Sequence, residues 1–308
     1  MTTTGPLLTI GELTLDDVVF EDQHVDWKQA GGGALYSAVG AALWTQAAIC
    51  SAVGPDYPPH LLDQLAAAGI DLSAVERTTE CNSLGLWLLY ASSGARHQFE
   101  KAAGGTFQQL DALRPRASEL EDVPAGVHLA PQSSDGHVAA LADFHESQAL
   151  ITLDLLIEPY IDHTPYTAPD FLHRIDAFLP SAAEVRELWG HDDITILRRQ
   201  LTRLGFEGTL VVKQGEQGVD VATSGGVVRV PAAPSRVVDV TGAGDAFCGG
   251  FLAGLMATGD PVVAAAHGVV SSSFVVETRG ALTALASLDH ELAASRLDAV
   301  LTSLRRTS

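Results

Sequence analysis

The run Asp239-Val-Thr-Gly-Ala-Gly-Asp-Ala-Phe-Cys-Gly-Gly-Phe-Leu252 holds the residues best suited to chemistry in this chain. Thr241, Gly242, Ala243 and Gly244 form a turn ahead of a helical stretch, and Asp245 stands at the junction. Backbone N–H groups at a helix start lack partners within the helix and point outward, which suits an anion such as a phosphate. Gly242, Ala243 and Gly244 carry little or no side chain to keep that anion away. A carboxylate beside such a pocket repels the anion unless it has a task. The task that fits Asp245 is to accept a proton from an attacking hydroxyl while the amides hold a transferring phosphoryl group. The simpler reading is a carboxylate that complements the helix dipole.

Four further groups can join that chemistry. Asp16 closes Gly11-Glu-Leu-Thr-Leu-Asp16 beyond the first strand, where open α/β sheets bind ligands; a solvated turn is the alternative. Gly31, Gly32 and Gly33 precede a helix and permit close backbone approach, as any flexible turn would. Pro180-Ser-Ala-Ala-Glu184 offers Glu184 to a magnesium ion, which needs few protein oxygens, and equally fits a capping box with Ser181 as N-cap. Lys213-Gln-Gly-Glu-Gln-Gly218 follows a strand and can bring Lys213, Gly215 and Gly218 to a nucleotide, or be a hairpin turn with a surface lysine. Arg96 and Lys101 flank a hairpin and could read an anionic substrate group or be solvated charges.

The elements that must position these residues alternate between strand-like and helical runs. Strands are expected at Leu7–Glu12, Ala47–Val53, Gly126–Ala130, Ala149–Asp154, Ala177–Leu179 and Thr209–Lys213. Helices are expected at Ala34–Trp44, His60–Ala68, Ser134–Glu146, Ala182–Leu188 and Ile194–Leu204, and most of the chain from Ala243 on reads as helix. The pattern predicts an α/β fold with a largely parallel sheet between helix layers. Asp17–Ala30 and Ser83–Glu100 break the alternation and read as hairpins, the second turning at Ser92-Ser-Gly94.

A net charge of -20 argues against a nucleic-acid partner, because binding such a backbone needs Lys and Arg. Three scattered cysteines without a CxxC point to reduced thiols in a cytoplasmic protein, and no apolar run is long enough to span a membrane. P-loop, dinucleotide, nucleophile-elbow and zinc-protease motifs are all missing from the sequence.

The Asp239–Leu252 string resembles the C-terminal signature of the ribokinase-like (PfkB) carbohydrate kinases, and the Gly31–Gly33, Ser181–Glu184 and Gly215–Gly218 groups are similar to that family's other motifs. The resemblance implies one domain over residues 1–308, with a small β lid from about residues 13–31 and 81–103. It implies an ATP-dependent kinase for a hydroxyl of a sugar, polyol or nucleoside, with Asp245 as base beside a Gly242-Ala243-Gly244 anion hole. Asp16 and Gly31–Gly33 would then meet the acceptor, Lys213, Gly215, Gly218 and Thr241 the nucleotide, and Glu184 the Mg²⁺, with a monovalent cation such as K⁺ near Ser271–Ala281. A homodimer through the lid is implied too, favoured by an exposed Leu84–Tyr90 strand. Tyr36-Ser37 and Ser181 stand where the family usually has Asn, which leaves a non-catalytic ligand-binding or regulatory protein on the kinase fold as the other reading.

Overall fold

Successive residues of the first strand are apolar on both sides: Leu7 packs into one core cluster, Leu8 and Ile10 into another. Strands buried on both faces require helices above and below. The computed structural model has that architecture and describes residues 6–90, 96–101, 112–117, 120, 124–145, 147–158, 161–169 and 171–307. The first half contains β1 (Leu7–Ile10), β2 (Thr14–Val19), β3 (Val25–Gly31), α1 (Gly33–Ala42), β4 (Ala47–Val53), α2 (Pro59–Ala67), β5 (Asp71–Arg77), β6 (Gly85–Tyr90) and β7 (Arg96–Lys101). Then come β8 (Gly126–Leu129), α3 (Ser134–Asp143), β9 (Leu150–Leu153), α4 (Thr164–Thr167), β10 (Ala177–Phe178), α5 (Ala182–Trp189) and α6 (Ile194–Arg203). The chain continues through β11 (Thr209–Lys213), β12 (Val219–Thr223), β13 (Gly226–Val230), α7 (Ala243–Thr258), α8 (Pro261–Val275), α9 (Ala281–Ala286) and α10 (His290–Thr307).

The large sheet has nine strands in the order β13-β12-β11-β10-β9-β8-β1-β4-β5. Its strands from β11 to β5 pair in parallel, so their carboxyl ends, with Asp154, Ser181 and Lys213 at or just beyond them, emerge along one edge. The β11–β12–β13 hairpins add an antiparallel margin. β1 stops at Ile10, short of the expected Glu12, because the chain then turns and Leu13 N–H donates to Ser51 Oγ at 3.0 Å. β5, β12 and β13 were not expected; each is partly exposed, which weakens any apolar signal. Helix α3 ends at Asp143, and Glu146 lies outside the described residues.

A second sheet of four strands, β3-β2-β6-β7, stands apart from the first. β2 pairs with β3 antiparallel and with β6 parallel, and a bulge between Asp16 and Val18 interrupts the β2–β3 register. β6 is an inner strand, flanked by β2 and β7, so Leu84–Tyr90 does not form the open edge expected of it. The turn expected at Ser92–Gly94 and residues 102–103 lie outside the described residues.

Helices α1 and α7 cross at backbone distance. A Cβ added to Gly249 would lie 1.8 Å from the Ser37 carbonyl oxygen, and one added to Gly40 would lie 2.0 Å from that of Ala246. This contact fixes the middle and end of α1 against the first two turns of α7. Cys50, Cys81 and Cys248 are free and buried, and no helix among the described residues is long and apolar enough to cross a membrane.

Candidate active site

The carboxyl edge of the large sheet, the start of α7 and the inner face of the small sheet enclose a cavity of about 950 Å³. Asp245 sits in the first turn of α7, and a Cβ on Gly33 would lie 3.1 Å from its Oδ1. The carboxylate therefore reaches the start of α1 across the cavity floor. Gly242 is the N-cap in a left-handed conformation (φ 73°), with no room for a side chain: its Cβ would fall 2.1 Å from the Tyr36 ring. Gly244 follows at N2, where a backbone N–H has no partner inside the helix. Ala243 differs from expectation. Its N–H donates to the Val240 carbonyl at 3.2 Å, closing the turn, so an anion at this terminus meets the later amides first.

Thr241 is buried, and its hydroxyl and N–H donate to Asp239 Oδ1 at 2.7 and 2.9 Å. The Tyr90 hydroxyl donates to Thr241 Oγ1, which ties β6 of the small sheet to the glycine turn. Thr241 is thus a joint between the small sheet and the turn before α7 as well as a wall of the cavity.

The three glycines make room for three different groups. Gly31 leaves space for the Asp16 carboxylate, whose Oδ2 would lie 1.9 Å from an added Cβ. Gly32, at φ 103°, adopts a backbone that L side chains rarely accept, and its Cβ would strike the Glu12 carbonyl oxygen at 2.1 Å. Gly33 clears Asp245. Asp16 is buried and lines the cavity beside Thr14 and Glu12. The Glu12 carboxyl is pushed up to about 7 by burial and then by Glu100. Tyr36 is held well above its ordinary value by burial, then by Asp239 and Asp16, so it stays a neutral hydroxyl.

Lys213 is not the surface lysine of a hairpin, although the hairpin is real. Gln214 N–H donates to the Gly218 carbonyl at 2.8 Å and Gly218 N–H to Gly215 at 3.0 Å, closing the turn between β11 and β12. The Lys213 side chain is 11% exposed, ion-pairs with Asp154 and passes below the glycine turn, 3.4 Å from where a Gly244 Cβ would be. Burial alone would lower its pKa, but Asp154, Cys248 and Glu184 more than reverse this and keep the ammonium charged. Gly215 lines the cavity. Gly218 instead packs against β13, where its Cβ would fall 2.1 Å from the Val230 carbonyl oxygen.

Both readings of Ser181–Glu184 hold at once. Ser181 Oγ accepts from Glu184 N–H at 3.3 Å and Glu184 Oε2 accepts from Ser181 N–H at 2.6 Å, a complete capping box. The capped carboxylate lines the cavity, and burial first, Asp154 second, push it up to about 7. Among the described residues no group of three or more His, Cys, Asp or Glu side chains forms a metal cage. Magnesium needs no such cage, since it keeps several waters and takes one or two carboxylates with substrate phosphates. Asp154 and Glu184 fit that sparse set.

Sequence reasoning missed Asp154, Tyr90, Glu12 and Gln98 as cavity residues. Asp154 carried a usable signal: it ends a predicted strand, as Asp16 follows one. Tyr90 and Gln98 carried none, because only strand register sets which face they share. A model of pfkB family carbohydrate kinases matches residues 8–287.

The chain belongs to the pfkB family of carbohydrate kinases.

As a pfkB kinase it is an ATP-dependent phosphotransferase. A cytidine kinase of Thermococcus kodakarensis is 24% identical over 252 residues, covering 80% of this chain and 87% of that one. The nucleoside kinase of Burkholderia thailandensis in complex with inosine superposes with a TM-score of 0.75 at 18% identity, over 95% of this chain and 96% of that chain. The fructokinase of Vibrio cholerae O395 in its fructose, ADP and calcium ion bound form gives 0.74 at 20% identity, over 96% and 99%. An α/β fold with a large, mostly parallel sheet flanked by helices is what this chain shares with these structures.

Proposed function

We propose that this pfkB kinase transfers the γ-phosphoryl group of ATP to a hydroxyl of a sugar, polyol or nucleoside, with Asp245 as general base. The observation that carries the reading is the Asp245 carboxylate in the first turn of α7, facing Gly33 across a cavity closed by the small sheet. The acceptor binds between the two sheets, near Asp16 and Gly31–Gly33. Its hydroxyl oxygen attacks the γ-phosphorus, its proton passes to Asp245, and the bond to the β–γ bridging oxygen breaks to release ADP. The N–H groups of Gly244 and Asp245 and the Lys213 ammonium stabilise charge on the phosphoryl oxygens. Gly215 and Thr241 flank the nucleotide. Glu184 and Asp154 would hold a magnesium ion, which would supply neutralisation of the phosphate charge. The region Ser271–Ala281 is proposed to respond to K⁺, read as a rate difference between potassium and sodium buffers.

The small sheet serves as a lid hinged through Gly31–Gly33 and tied to the anion turn by Tyr90 and Thr241. Its Trp27 and Phe99 are 60% and 55% exposed, and this supports a homodimer contact through the lid.

The test is ADP release from Mg-ATP across sugars, polyols and nucleosides for wild type and Asp245→Asn. Loss of a general base costs about 10²–10⁴ in rate, so the variant is expected to bind ATP and turn over at a residual level. Near-normal turnover removes Asp245 from the mechanism. ATP binding without turnover in the wild type, for every acceptor, favours a regulatory protein on this fold.

A further inference from the structure

We infer that the acceptor end of this cavity selects an uncharged acceptor rich in hydroxyl or amine donors and rejects sugar acids and sugar phosphates, with Glu12 and Asp16 as the discriminating groups. The inference rests on the kinase reading of the same cavity and narrows its substrate class.

Strand register decides which charges face the acceptor. Residues directly opposite in neighbouring strands share a face. Asp16 pairs with Leu86 and Leu86 with Glu100, so one row across the small sheet carries two carboxylates. The next row sets Gln98 opposite Leu88. Asp16, Leu86, Leu88 and Gln98 all line the cavity, which identifies this face as the inner one. Glu12 rises from the loop below, close enough to Glu100 for the two charges to repel.

Lys101 belongs to the opposite face. It pairs with Gly85, lies 4.7 Å from the centre of the Trp87 ring and forms an ion pair with Asp17, whose other oxygen accepts from Lys28 N–H at 2.8 Å. The bulge after Asp16 accompanies this division: Asp16 turns to the cavity and Asp17 to the outer face. Lys101 is therefore committed to an acid outside the site and does not read an anionic substrate. Arg96 pairs with Tyr90, at the Thr241 end of the sheet, and its side chain lies outside the described residues. Lys213 is held by Asp154 at the phosphate end, and Arg77 donates to the Gly54 and Tyr57 carbonyls. His163 lines the cavity from the loop after β9 and stacks on Tyr166. Among the described side chains, the acceptor end offers carboxylates, an amide and hydroxyls, and no cation.

A ligand carboxylate or phosphate about 6 Å from an ionised acid here loses roughly tenfold in affinity at an effective dielectric near 40, so Glu12 and Asp16 together cost it roughly 100-fold. Hydroxyl and amino groups, by contrast, donate to the same oxygens.

The experiment compares four acceptor classes at pH 8.5, where Glu12 is ionised: a neutral ketose, a nucleoside, a sugar acid and a sugar phosphate. Both kcat/KM for ADP release and calorimetric binding are measured on the full chain. A neutral acceptor is expected to exceed both anionic classes by about 100-fold. Glu12→Gln is expected to narrow that gap about tenfold through sugar-acid binding, with the KM for ATP unchanged. Should that variant fail to fold, Glu100→Gln, at an exposed position, is expected to narrow it about threefold. A sugar acid or phosphate that matches or beats the neutral acceptors overturns the inference, as does binding by none of the four classes. Ranked binding without turnover would leave the selectivity standing and remove the kinase reading instead.

Discussion

Gly249→Ala tests whether the active site depends on two helices meeting at their backbones. A methyl group at this position would lie 1.8 Å from the Ser37 carbonyl oxygen and 3.0 Å from Ala41 N. Ordinary contact begins near 3.4 Å, so α1 and α7 must part by about 3.4 − 1.8 = 1.6 Å, and the opposing atom is backbone that cannot rotate away. Overpacking of this kind costs about 1–3 kcal/mol. Against it stands the helix preference of alanine over glycine, about 1 kcal/mol in a helix interior. The net expectation is a loss of up to about 2 kcal/mol, or a Tm lower by up to roughly 8 °C. Turnover should suffer more. Gly249 lies one turn beyond Asp245, and α1 carries Gly33 and Tyr36, so separation moves the proposed base relative to the proposed acceptor floor; a misplacement of about 1 Å costs about 100-fold. Scanning calorimetry and initial rates read the two effects separately. Gly225→Ala is the control, since its nearest neighbour would be Thr223 Oγ1 at 3.8 Å. A Gly249→Ala protein with a higher Tm and full turnover would show that helix propensity, not contact, decides here, and would refute the packing argument.

Two further outcomes are expected. Glu184 has its folded-state pKa raised from 4.5 to about 7, so the folded protein holds a proton that the unfolded chain has released between those values. Stability from this group therefore falls as pH rises from about 4.5 to about 7, and Glu184→Gln, which can still accept from Ser181 N–H, should flatten that part of the Tm–pH curve; equal slopes in both proteins would reject the shift. For the lid contact, light scattering of Phe99→Glu should report a monomer where the wild type is a dimer, and an unchanged mass removes this face from the interface.

What could be read from the sequence was what is local in it. Asp239–Leu252 places the turn, the proposed anion site and the proposed base within one helical turn of each other, so their proximity needs no tertiary information. The capping box at Ser181–Glu184 is local too, and the structure contains it in full. Strand ends were legible to within a residue or two where both faces are buried, as at Ala47–Val53 and Thr209–Lys213. The pairings that complete the site are remote: Lys213 meets Asp154 across 59 positions and Tyr90 meets Thr241 across 151. Only strand order and register bring those groups together. The same holds for Lys101, whose separation from the cavity depends on a pairing with Gly85 that the sequence does not display.

A chain with a net charge of -20 must still accept a nucleotide triphosphate, and the arrangement beneath α7 explains how. Most of that charge is on the surface and is screened beyond about 8–10 Å at physiological salt. The phosphate site proposed here has short-range sources of opposite sign: the first-turn amides of α7 and the buried Lys213 ammonium. An isolated ammonium in that position would be driven toward its neutral form by burial. Asp154 prevents this, and at the same time cancels much of the positive field while no phosphate is present. A phosphate arriving near Gly244 therefore meets a cation that is already charged and already placed. The neighbouring Glu184 gains from the same event, because any cation that accompanies the nucleotide offsets the repulsion from Asp154 that raises its pKa. Binding energy at this site thus goes into rearranging charges that the fold has brought together, not into creating them.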